Sequence, residues 1–172
     1  MSRPTAPPAD RVSTPDGPRT DFAGAVYGSL LAASVVATAG SVGEYPRLQL
    51  ALLLLITGLV FWAAHVYARL AGERPLGRPW TRSEMRRVAV HEWPIVEASV
   101  LPAVTVAVSP LLGMDLSTTE WLALGIAVGQ QVFWACLGAA RAGVSRSHVV
   151  AEGAVNLVLG LIIIAAKAAL SH

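Results

Sequence analysis

A chain of 172 residues with net charge +2, 54% hydrophobic and only 14% charged, carries too few charges to cover the surface of a water-soluble domain of its size. One cysteine, Cys136, excludes an internal disulfide framework and a cysteine-based zinc site. The basic residues sit beside apolar runs, so membrane topology explains them better than nucleic-acid binding does.

Residues 1–21 contain five prolines and almost no large apolar side chains, which predicts a disordered, Pro-rich cytoplasmic tail. This stretch is not read as a signal peptide, because the apolar run starts late and is long. Five apolar runs follow, at about 22–40, 48–70, 94–112, 120–140 and 149–170. Each is near the ~20 residues a helix needs to cross a bilayer. The predicted fold class is therefore an all-α polytopic transmembrane helix bundle of five spans. Pro102 and Pro110 interrupt the third run, and a kink is expected near Pro102. Before it, Thr81 and Glu84 match a capping box, predicting a short basic interfacial helix over 81–92.

Arginine placement sets the expected direction. Arg3, Arg11, Arg19, Arg69, Arg74, Arg78, Arg82, Arg86, Arg87, Arg141 and Arg146 fall on one side, Arg47 and Lys167 on the other. The N-terminus is expected in the cytoplasm and the C-terminus outside. The Arg-, Ala-, Val- and Leu-rich composition suggests a bacterial gene of high G+C content, hence a multi-pass protein of the bacterial cytoplasmic membrane. Gly24/Gly28 and Gly125/Gly129 are small-xxx-small pairs. They serve either a homo-oligomer or packing within one protomer, with the second favoured.

Polar residues inside spans are costly and demand a reason. Tyr27, His65, Glu97 and Glu152 with Asn156 come from four spans, yet share a depth near the cytoplasmic side, with His65 and Glu97 each ~6 Å in. A cluster is expected there, with Glu97 or Glu152 beside His65. Glu92 lies about 140° around a helix from Glu97. It is expected with His91 at headgroups and water, leaving Glu97 as the intramembrane charge. Gln130 and Gln131 fall near mid-membrane, where at least one needs an interhelical partner, a pore or a cavity. No P-loop, dinucleotide fingerprint, nucleophile elbow or HExxH occurs, and no cofactor or metal is expected.

The stretches AVYGSLLA, FWAAHVYARLAG and EWPIVEASVLPA resemble a group of small multi-span integral membrane proteins from high-G+C bacteria. The resemblance implies topology, carries no established activity, and places Tyr27, His65, Glu92 and Glu97 in its signature stretches. The Trp62-x-x-His65 spacing also resembles bacterial relatives of lysosomal potassium channels, whose R-x-x-x-F-S-D start is missing here. The expected function is passage or sensing of a small ion or solute, protons included, through the bundle. Two alternatives remain open. One is a membrane-embedded, terpene-cyclase-like enzyme using Glu97 or Glu92 as general acid on a lipid or prenyl substrate. The other is a structural or accessory subunit without chemistry. The bilayer itself is the expected partner.

Overall fold

The structure, a computed structural model, describes residues 22–42, 47–72 and 79–170. The expected tail and the loop arginines Arg74 and Arg78 lie outside them. Six α-helices carry the described fold: α1 (Phe22–Val42), α2 (Arg47–Gly72), α3 (Arg82–His91), α4 (Pro94–Val108), α5 (Leu116–Arg141) and α6 (Arg146–Leu170). Five segments are long and apolar enough to cross a membrane: the first part of α1, α2, α4 with the 3-10 turn Ser109–Leu112 that follows it, α5 and α6. α4 runs through Pro102 without a break, and its α geometry gives way only at Ser109–Pro110.

The short helix α3 starts as its sequence predicts. The Thr81 hydroxyl accepts from the Glu84 amide, and the Glu84 carboxylate accepts from the Thr81 amide. Both interactions satisfy donors that a bare helix start leaves open. Asp115 does the same for α5, and the Thr118 amide holds its carboxyl below the usual aspartate range.

α1, α4 and α5 pack together at the centre, with α2 flanking on α4 and α6 flanking on α5. The core between them is built largely from small residues, including Ala32, Ala33, Ala37, Ala103, Ala123 and Ala127, with Val36, Val106, Leu50, Leu54 and Leu124 filling the gaps. Small side chains let helix backbones approach, which is how association is achieved where lipid supplies no hydrophobic drive. The outer faces are apolar instead: Leu52, Ile56 and Val60 on α2 and Val155, Val158 and Ile162 on α6 are all exposed. That distribution suits hydrocarbon rather than water as surroundings.

The two glycine pairs part company. A Cβ on Gly28 would lie 2.5 Å from the Ile95 carbonyl oxygen and 2.9 Å from the Ala98 Cβ, so this glycine holds α1 against α4. Gly125 and Gly129 face open space, and a Cβ there would meet nothing within 4 Å.

Candidate functional site

Three stripes at helical spacing converge at the arginine-rich end of the bundle. α1 contributes Phe22, Val26 and Leu30, each one turn apart, with Tyr27 alongside. α5 contributes Gln131, Trp134, Ala135 and Gly138, followed by its capping residue Ala142, and α6 contributes His148, Glu152, Asn156 and Leu159. Residues three and four apart stack on one face of a helix, so each wall is a single stripe of its parent sequence. Together they line an open cavity of about 550 Å³.

The cavity has an amide floor. Gln131, fully buried, donates through Nε2 to the Asn156 carbonyl at 3.1 Å and to Asn156 Oδ1 at 3.2 Å. Asn156 Nδ2 donates to the Glu152 carbonyl at 3.0 Å. Gln131 Nε2 thus has two acceptors within the protein and Asn156 Nδ2 one, while buried Gln131 Oε1 has no partner. An unmatched buried acceptor costs on the order of 1–3 kcal/mol.

The walls are aromatic. The Phe22 and Trp134 rings lie 6.1 Å apart, and the Arg141 guanidinium covers the Phe22 ring at 5.3 Å. Tyr27 presses its ring on His65 of α2 at 4.8 Å between centroids. The Glu152 and His148 side chains are exposed, and His148 Nδ1 shares a 2.7 Å hydrogen bond with Ser145 Oγ. Away from the mouth, Val36, Leu124, Ala127 and Val128 pack the interior.

Of the residues expected to cluster, Tyr27, Glu152 and Asn156 meet at this cavity, joined by Gln131, which was expected near mid-membrane. His65 stands behind Tyr27, its Nδ1 3.0 Å from the Phe61 carbonyl of its own helix. Gln130 is half-buried and outside the cavity lining, with Oε1 buried and unpartnered. Glu97 is exposed, and the expected pair with His65 does not form.

Glu92 and Glu97 exchange the roles expected of them. Glu92 is buried and receives the Arg69 guanidinium in an ion pair, whereas Glu97 faces outward. The turn explains the reversal. Glu92 caps the end of α3, and the Glu92–Trp93–Pro94 turn redirects the chain into α4. At the same junction Trp62 of α2 donates from Nε1 to the Ala89 carbonyl at 2.8 Å and packs edge-on against Trp93 at 5.5 Å. α3 is thus drawn onto α2, carrying Glu92 to Arg69 instead of to headgroups.

Sequence reasoning missed two features. His148 lies four residues before Glu152 on the same face of α6, so the depth argument could have included it. The second is at the opposite end, where Lys167 donates to Glu120 Oε2 at 2.8 Å with both side chains buried. Lys167 also reaches the Val36 carbonyl at 3.4 Å and lies 5.7 Å from the centre of the Trp121 ring. Its signal was the one lysine of the chain, set inside an apolar run.

Comparison with protein-family models, curated proteins and solved structures gives no match for this chain.

Proposed function

We propose that this chain is a multi-pass protein of the bacterial cytoplasmic membrane that takes a small solute into the α1–α5–α6 cavity from the cytoplasmic side and passes or senses it. The convergence of Tyr27, Gln131, Glu152 and Asn156 on one cavity supports this reading. The orientation rests on the sequence, which sets eleven arginines in the tail and loops on one side of the spans. The buried Lys167–Glu120 pair and the packed core support reading the other end as the closed part of the path. Onward passage would require α5 and α6 to separate there. Glu97 and Glu92, the acids of an enzymatic reading, do not line the cavity, so solute handling is the better supported role.

The test is one-sided access. With Cys136→Ser as background, Tyr27→Cys is expected to react with a charged, membrane-impermeant methanethiosulfonate applied to inside-out vesicles and not to spheroplasts. Val36→Cys, buried in the core, should react from neither side. Labelling of Tyr27→Cys from the outer face, or from neither face, overturns the proposal.

A further inference from the structure

The chemistry lining the cavity also says what kind of solute fits it. Gln131 Nε2 donates twice to Asn156, and Asn156 Nδ2 uses one of its two hydrogens on the Glu152 carbonyl. The acceptor Gln131 Oε1 is buried and unpartnered. A ligand that satisfies it must bring an N–H or O–H. The carboxylate among the lining residues belongs to Glu152, one turn along α6 from Asn156. Three aromatic residues, Phe22, Tyr27 and Trp134, complete the walls. Aromatic faces carry negative potential and attract cations. A carboxylate and an acceptor oxygen do the same, and an anion here would meet all three unfavourably. Arg141 is already engaged over the Phe22 ring and is not a lining residue.

We propose that the cavity selects a small amphipathic organic ammonium, its N–H group directed to Gln131 Oε1 and Glu152 and its apolar part held against Phe22, Tyr27 and Trp134. This rests on the reading of the cavity as a solute site and names the class of solute. Of the remaining lining, His148, one turn from Glu152, adds an imidazole at the mouth, while Val26, Leu30, Ala135 and Leu159 are apolar and suit a hydrocarbon or aryl body rather than a sugar.

Calorimetric titration of the protein in lipid nanodiscs, with empty nanodiscs subtracted, tests it with three probes of one shape: 2-phenylethylammonium, 2-phenylethanol and 3-phenylpropanoate. The ammonium is expected to bind roughly tenfold more tightly than the alcohol. The anion should bind most weakly. Glu152→Gln should reduce ammonium affinity to that of the alcohol, and Glu97→Gln, on the outward face of α4, should change nothing. Equal or tighter binding of the alcohol or the anion overturns the ammonium assignment while leaving a solute cavity in place. Absence of binding by all three overturns both.

Discussion

Replacing Lys167 with methionine is expected to destabilise the protein by about 3–5 kcal/mol, the usual cost of stranding one member of a buried ion pair. The Glu120 carboxylate would lose its 2.8 Å partner while its side chain stays 9% exposed. An unpaired charge in that setting is held at high cost. The pair lies near the start of α5 and the end of α6, with Val36 of α1 as a further acceptor, so its loss loosens three helices at once. Glu120→Gln alone should be costly for the same reason, since it strands the ammonium. The double replacement Lys167→Met with Glu120→Leu should recover most of the loss, because two apolar side chains of similar volume need no partner. Unfolding midpoints of the three variants in a single detergent measure this. Additive losses in the double variant would show that the pair does not act as a unit.

Gly28→Ala is the second large effect. The added methyl would sit 2.5 Å from a backbone oxygen of α4, and backbone cannot rotate aside as a side-chain tip can. Helix α1 must move off α4, at a cost of about 1–3 kcal/mol typical of overpacking, or more. The same change at Gly129 enters open space. There it should be neutral or stabilising by up to about 1 kcal/mol, the helix-propensity gain of alanine over glycine. Stability measurements on the two variants distinguish packing within the protomer from a shared interface. A loss of stability for Gly129→Ala matching that of Gly28→Ala would place α5's glycines in a contact this fold does not contain.

How far the sequence could be read depended on what each signal measures. Hydropathy and span length report burial in hydrocarbon, and the five spans and the Thr81–Glu84 helix start were legible because those signals are local. Depth along a helix is also local, being a count of residues, and it brought Tyr27, Glu152 and Asn156 onto one short list, while Gln131 stood out as a polar residue near mid-membrane. Direction around a helix depends on which neighbours pack where, and that is not local. Glu97 and Glu152 have similar depth, but α4 turns Glu97 outward while α6 turns Glu152 toward α1 and α5. The Arg69–Glu92 pair was hidden for a related reason. It joins α2 to the turn after α3, and only the docking of Trp62 on the Ala89 carbonyl brings those segments together. The Lys167–Glu120 pair was within reach, since the depth argument used at the arginine-rich end applies equally at the other.

The meeting of α1 and α6 across one cavity, on which the functional reading stands, is most directly tested by a bridge across its walls. Ala23 and His148 both line the cavity, from α1 and α6 respectively. Tyr67, by contrast, is exposed on the flanking helix α2, which packs chiefly on α4, and does not line the cavity. In a Cys136→Ser background, Ala23→Cys with His148→Cys should be joined within one chain by a flexible bifunctional maleimide, giving faster migration in denaturing electrophoresis. Tyr67→Cys with His148→Cys should not be joined. A bridge for the first pair alone is the predicted result, and a bridge for the second pair without the first would contradict the account.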